Sequence, residues 1–466
     1  MSPIEYFEGA KTIMAAQILA ICIFVGMFLL IILDKFERYY ITLASGALVL
    51  ALVFGVCMHS MSAIWGTLNL PSIFTSGFWY DASEEGNSGI NWSTIFFIAG
   101  MMIMVEGLGK AGFFRWLCLT LAKLVRYRIV PLLVCFMVLS AVLSMFIDSI
   151  TVVLFLATVT LELAQTMKFN PIPMILSEVF CANLGGAATM CGDPPNIIVG
   201  TSLGYTFFDF ISNTGVAVAI CFVLVLIYFV LCFRKRLLRD EKNSGAAVCP
   251  QPGTAITNRP AFLLSAGVFL LAVILLATHA QTKLTVACIG VIVAALSLVV
   301  IGCTSGGKAV LEIIKGVDYK TLLFFIGLFV SVAGLKETGV LDVIARFITT
   351  VSGGNAAIIV VIILWISAVT SAFVDIIPFA ATMFPLISSS AVASGIDMGV
   401  LAWALSLGTD LGGNATPIGA SANVVGTSVA AKGGYPISWG VYCKYCVGAT
   451  VLVIAVSMGY LFLRYL

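Results

Sequence analysis

The chain reads as an all-α polytopic membrane protein built from two inverted repeats, each with a re-entrant hairpin and a broken transmembrane helix. Three observations predict this. Of the 466 residues, 61% are hydrophobic and only 10% are charged, and long apolar stretches recur from end to end, as in membrane helices rather than soluble domains. The stretches lack the apolar–polar alternation of a membrane β-barrel. The chain also says the same thing twice, 227 residues apart. Ser144-Met-Phe-Ile-Asp148-Ser-Ile returns as Ser371-Ala-Phe-Val-Asp375-Ile-Ile, and Thr94, Gly107, Gly112, Gly185 and Asn196 return as Thr321, Gly334, Gly339, Gly412 and Asn423. A duplicated membrane unit with a polar break in each copy is the sequence form of a secondary transporter.

Taken in order, helices are expected at 12–33, 41–58, 91–109, 173–204, 212–233, 261–278, 284–302, 319–335, 398–430 and 440–463. Those at 173–204 and 398–430 are too long for simple spans and are interrupted by Gly, Pro and Asn. The apolar segments 129–165 and 355–393 each carry an Asp near the middle, so each is read as a hairpin that turns at that Asp and leaves by the side it entered. Irregular backbone at such depth requires protein or a wet cavity around it. The expected organisation is N-terminal scaffold helices and an outer loop (1–90), a first repeat (91–233), a linker (234–260), scaffold helices (261–317) and a second repeat (318–466). The outer loop carries Trp65, Phe78, Trp79 and Tyr80, with acidic Asp81, Glu84 and Glu85. Glu5 and Glu8 precede the first apolar run and no charged n-region is present, so the first helix is expected to be retained.

Counting Lys and Arg orients the chain. With the N-terminus outside and hairpins returning to their own side, nineteen of the 24 basic residues fall on inner segments and five on outer ones. This places the first hairpin inside, the second outside, and the repeats in inverted orientation. An integral protein of the cell membrane is expected.

Composition excludes several functions. A net charge of +2 and the lack of a basic patch argue against nucleic acid. No phosphate-cradling Gly-rich loop is present, so ATP is not expected to drive the chain directly. No nucleophile–base constellation suggests an enzyme. The thirteen cysteines sit mostly in apolar runs; Cys443 and Cys446, spaced as CxxC, read as packing residues. His59 and His279 have no companion ligands, so neither cofactor nor structural metal is expected.

The chemistry-bearing residues lie in the hairpins and breaks. Asp148 and Asp375 sit at mid-membrane positions, where charge is expensive. No Lys or Arg occurs in 129–167 or 347–431. A carboxylate so placed holds a proton, holds a cation, or caps a helix. Ser149 and Thr151 offer further oxygens. In the first break, Asn183, Gly185, Gly186, Thr189, Gly192, Asp193 and Asn196 surround Pro194 and Pro195, which cannot continue a helix. In the second, Asp410, Gly412, Gly413, Asn414, Thr416, Gly419, Ser421 and Asn423 recur without the prolines. Freed carbonyls suit Na+ and freed N–H groups suit a polar solute. Na+ is therefore expected at Asp148/Asn196 and Asp375/Asn423, with Na+ and/or H+ as coupling ions. Glu106 and Glu178 are read as packed residues, and Glu162 and Glu312 as solvated ones.

With these residues in view, the chain resembles the ion transporter superfamily and its ArsB/NhaD-type permeases, which include the pink-eyed-dilution P protein; the divalent anion:Na+ symporters are more distant. Gly185-Gly-Ala-Ala-Thr-Met-Cys-Gly-Asp-Pro-Pro-Asn196 is similar to the signature GG-x-x-T-x-x-GDPPN. Phe373-Val-Asp-Ile-Ile-Pro-Phe-Ala-Ala-Thr-Met-Phe-Pro385 is similar to FxDNIPFTATMxP, and Phe146-Ile-Asp-Ser-Ile-Thr151 to the matching element of the first repeat. Ser149 and Ile376 stand where the family often has Asn. The resemblance implies a homodimeric scaffold, a transport domain moving as an elevator, a small ion or small-molecule substrate, and Na+ or H+ coupling. It leaves three functions to separate: exchange of Na+ or a neutral oxyacid such as arsenite for H+, Na+-coupled symport of dicarboxylates, and a passive anion channel.

Two expectations are testable. Asp148→Asn and Asp375→Asn should each abolish coupled transport while the protein still folds and inserts; wild-type rates in both would refute the coupling role. Impermeant thiol reagents should label cysteines introduced into 60–80 from outside the cell and those introduced into 250–258 only after permeabilisation.

Overall fold

A computed structural model describes residues 3–33, 35–80, 89–243, 250–374 and 376–466. Asp375, Asp81, Glu84, Glu85 and linker residues 244–249 lie outside the described residues, as do the side chains of Glu5, Glu8 and Lys11. Every described element is helical, and among the described residues nine helices are long and apolar enough to cross a membrane.

The chain starts with α1 (Pro3–Leu33) and α2 (Arg38–Leu48), which continues as a π-helix over Val49–Cys57. The connector that follows forms α3 (Met61–Leu68) and α4 (Ser76–Trp79). Next come α5 (Trp92–Lys110), α6 (Phe113–Leu124), the pair α7 (Ile129–Ser144) and α8 (Ser149–Met167), and the split helix α9 (Ile172–Gly186) and α10 (Pro194–Leu203). The short α11 (Phe207–Phe210) runs through a π-turn into α12 (Val216–Asn243). After the linker come α13 (Arg259–Thr282), α14 (Val286–Ser305) and α15 (Gly307–Gly316). The order then recurs: α16 (Tyr319–Glu337), α17 (Val340–Val351), the pair α18 (Ala356–Ser371) and α19 (Ile376–Ser394), the split pair α20 (Met398–Gly412) and α21 (Ser421–Lys432), and finally α22 (Trp439–Tyr465).

Local chemistry explains the boundaries. Asn91 Oδ1 accepts from Thr94 N at 3.0 Å to start α5, and Asp318 Oδ1 accepts from Thr321 N at 3.2 Å to start α16. Gly112 and Gly339 take φ of +85° and +75° at the entry to α6 and α17, a conformation that favours glycine. Both 12-residue helices went unanticipated. They are too short to span and are marked only by an apolar face between charged residues; α6 buries Phe114, Cys118, Leu119 and Ala122.

Packing divides the molecule into a frame and a centre. In the frame, α5 runs along α14 and α16 along α2. A β-carbon on Gly100 would overlap the backbone of Gly290, and one on Gly327 would overlap that of Thr42, the small-residue contact by which membrane helices approach closely. In the centre, α7 packs on α9 and α18 on α20. A β-carbon on Gly185 would overlap Ala141, and one on Gly412 would overlap Ala368. The second halves cross over: α21 rests on α8 and α9, while α10 rests on α19 and α20. One apolar core runs through both halves.

Gly412→Val should therefore cost about 1–3 kcal/mol or more by overpacking against backbone. Gly267→Ala, where a β-carbon meets nothing within 4 Å, should be neutral or stabilising. Thermal unfolding of the two purified variants in detergent checks this; equal midpoints would contradict the close approach.

Candidate functional site

The two breaks are held open by the same hydrogen bonds. Pro194 and Pro195 start α10 and cannot return N–H groups to α9, so the chain unwinds over 187–193. Asn196 Nδ2 donates to the carbonyls of Gly186 (3.1 Å) and Thr189 (3.0 Å). Asn423 Nδ2 donates to Gly413 and Thr416, both at 2.8 Å. Each carboxamide replaces the helical bonds the break has lost. The second break has Ser421 and Ala422 where those prolines stand and carries Pro417 within it; in both breaks a glycine, Gly192 or Gly419, lies so close to the preceding helix end and the neighbouring tip that a β-carbon would collide with their carbonyls.

The pair tips dock onto the breaks. Thr189 Oγ1 donates to Met145 O at 2.5 Å, and Thr416 Oγ1 donates to Ala372 O. In the first half there is one further bond, from Ser149 Oγ to Asp193 Oδ1 at 2.8 Å. Its positions 227 residues on are Ile376 and Ala420, so this bond has no counterpart.

Asp148 is a helix cap. Its Oδ1 accepts from Ile150 N (2.9 Å) and Thr151 N (3.2 Å), and its Oδ2 accepts from Thr151 Oγ1 (2.6 Å). It is half-buried and faces a cavity of about 230 Å³. That cavity is lined by the tip residues Asp148, Ser149 and Thr151, by Gly192, Asp193 and Ser421 of the breaks, and by Phe97, Met101, Met102 and Phe146. Glu106 and Asp318 stand at the end where α5 finishes and α16 begins. No Lys or Arg is among the lining residues. A larger cavity of about 570 Å³ lies at the opposite end, between the start of α5 and α19, with Asn69, Asn91, Ser388, Ser389 and Lys336 in its wall.

The carboxylate oxygens without donors among the described residues are at the broken helices rather than at the first tip. Asp193 is 1% exposed and its Oδ2 has no hydrogen-bond partner among the described residues. Asp410, fully buried, has none on either oxygen. Asn183 Nδ2 donates to Asn414 Oδ1 (2.9 Å) and Asn423 Oδ1 (2.8 Å), tying the two breaks together. The Oδ1 atoms of Asn183 and Asn196 are also unpartnered. Burying such groups unpaired is costly, so the centre has an excess of oxygen acceptors.

Of the sequence-predicted residues, Asn183, Asn414 and Asn423 thus meet at one crossing, Gly192, Asp193 and Ser421 line the cavity with Asp148, Ser149 and Thr151, and Gly185 and Gly412 pack on α7 and α18. The cross-repeat pairing of Asn183 with Asn423 was not foreseen, because nothing in a sequence shows which helices cross. Glu178 is indeed packed: its Oε1 accepts from Thr160 Oγ1 at 2.5 Å. Glu162, read as solvated, is bound by Arg115 through contacts of 2.6 and 3.1 Å, and Glu106 shares Lys110 with Glu312. Cys446 is buried and Cys443 half-buried, both as free thiols.

Comparison with known proteins agrees with this architecture. A family model described as citrate transporter matches residues 28–408. An uncharacterized transporter of Mycobacterium tuberculosis is 32% identical over 451 residues, covering 96% of this chain and 99% of that protein. The P protein of Mus musculus is 27% identical, covering 80% of this chain and 54% of that longer protein. Among solved structures, the Alcanivorax borkumensis YdaH transporter superposes with a TM-score of 0.58 at 15% identity, covering 91% of this chain and 96% of that one. Neisseria gonorrhoeae MtrF gives a TM-score of 0.55 at 11% identity over 80% of each chain; both likenesses concern the fold alone. With its nine apolar helices and a family match over most of its length, the chain belongs to the citrate transporter family of the ion transporter superfamily and is a polytopic membrane transporter.

Proposed function

We propose that the chain is a cation-coupled secondary active transporter that exchanges Na+ or a neutral oxyacid such as arsenite for H+. The observation that carries this reading is the cavity beside the first tip. Its polar wall is made of Asp148, Ser149, Thr151, Asp193, Glu106 and Asp318, with no basic side chain in its lining. Such a wall attracts cations, admits neutral solutes and repels a bare anion. In this reading Asp193, with one oxygen held by Ser149, alternates between proton and cargo, and Asp148 orders the tip and contributes charge. With the N-terminus outside, the cavity opens to the cytoplasm. The two inverted repeats then carry α7–α10 and α18–α21 past a dimeric frame that includes α2, α5, α14 and α16, as an elevator in the cell membrane.

The family model favours a second reading, Na+-coupled symport of a carboxylate such as citrate. There a cation held at Asp148 must neutralise the acidic wall before the anion enters; Asn196, expected beside Asp148, is fully buried and not among the residues lining that cavity.

Purified protein in liposomes carrying a pH dye separates the readings. Under an imposed Na+ or arsenite gradient, proton movement that Asp193→Asn abolishes is the expected result. Silent protons together with Na+-dependent uptake of labelled citrate or succinate would replace exchange by symport. Anion current without any coupling ion would reject both.

A further inference from the structure

The crossing of the broken helices is separate from the cavity. Asn183, Asn196, Asp410 and Asn414 are all fully buried, and none of them lines the cavity at the first tip. Positions 183 and 196 correspond to 410 and 423. The same cross-repeat pair is therefore made twice, once as Asn183 with Asn423 and once as Asp410 with Asn196. The two pairs differ in chemistry.

In the first pair a donor meets an acceptor: Asn183 Nδ2 donates to Asn423 Oδ1 at 2.8 Å. In the second, Asn196 stands beside Asp410, while its amide group donates to Gly186 O and Thr189 O. What Asn196 has left to offer is Oδ1, which like both Asp410 oxygens has no donor among the described residues. Asn183 Oδ1 is a fourth unpartnered oxygen, on a side chain bound to Asn414, one turn beyond Asp410. Among the side-chain atoms of the described residues, the one unpartnered donor at the crossing is Asn414 Nδ2.

The carboxyl ends of two helices also converge here, α9 at Gly186 and α20 at Gly412, and such ends carry partial negative charge. No Lys or Arg lies between 169 and 233 or between 347 and 431. One proton would satisfy one of these oxygens, whereas a hard cation satisfies several at once, with the carboxylate, carboxamide and carbonyl oxygens such ions select.

We propose that this crossing is an enclosed monovalent-cation site, with Asp410 as the charged ligand and Asn196 and Asn183 supplying neutral oxygens, distinct from the cation site at the first tip. It rests on the cation-coupled reading only for its place in the transport cycle. A cation there ties α10 to α20, and hence the two repeats to each other, as the Asn183 hydrogen bond ties α9 to α21. Its charge is met by Asp410, which the acidic cavity does not share.

The test counts Na+ bound by the purified full chain in equilibrium dialysis with radioactive Na+. Asp193→Asn should retain about half of the wild-type ion, Asp410→Asn about half, and the double variant none. Asp410→Asn is nearly isosteric and rebuilds the donor–acceptor pairing of the other crossing pair, so it is expected to fold. Should it not, the ion retained by Asp193→Asn decides: retention supports the enclosed site and complete loss overturns it. Wild-type binding that Asp410→Asn leaves intact overturns the site but spares the reading of the cavity. Binding lost in Asp410→Asn and unchanged in Asp193→Asn does the reverse. An infrared carboxylic-acid band that disappears in Asp410→Asn, with no ion retained by Asp193→Asn, means a proton occupies the crossing and also overturns the proposal.

Discussion

Two side-chain carboxamides make the rest of the structure possible. Unwinding a helix inside a membrane frees backbone groups that no water can satisfy, at several kcal/mol each. Asn196 and Asn423 each reach back across a break and hold two of the freed carbonyls. Once the breaks are stable, Thr189 and Thr416 can fasten a neighbouring tip to each, and glycines at 185, 192, 412 and 419 let the backbones come close enough for those bonds to form. The constraint runs one way. A donor spent on the break cannot also serve whatever lies at the crossing, so the free face of each carboxamide is its oxygen.

The halves share this frame and differ in where they keep their charge. The first half places a carboxylate after its break, Asp193, whose equivalent is Ala420; the second places one before its break, Asp410, whose equivalent is Asn183. The first tip carries Ser149 to hold Asp193, while the second carries Ile376. The two halves repeat one order of helices, with one acidic group on the cavity side and another at the closed crossing. Two like charges so near one another interact unfavourably, so cations or protons at the two places are coupled electrostatically without any moving part.

The sequence was informative where chemistry is local. The offset of 227, the prolines and the Gly-Gly words pointed to both breaks, and the broken segments expected at 173–204 and 398–430 span 172–203 and 398–432. Asp148 illustrates the limit. Its depth in an apolar run made it the sharpest charged candidate, and the structure spends its oxygens on the first turn of α8. Asp410 carried as strong a signal of expense but was embedded in a word already read as a pocket, so its lack of donors showed only in three dimensions. The helices α6 and α17 escaped because an amphipathic segment too short to span leaves no long apolar run.

The acidic wall also constrains the order of events in any transport cycle. A multivalent anion entering the cavity would meet Asp148 and Asp193 within one small volume, with no basic side chain lining it, and at low effective dielectric each such encounter costs several kcal/mol. A cation bound first removes that barrier, and its departure restores it. A neutral solute meets no barrier of this kind and needs no cation to enter. For an anionic cargo the sign of the wall therefore calls for neutralisation, by a proton or a cation, before entry, and it imposes no such order on a neutral or cationic one.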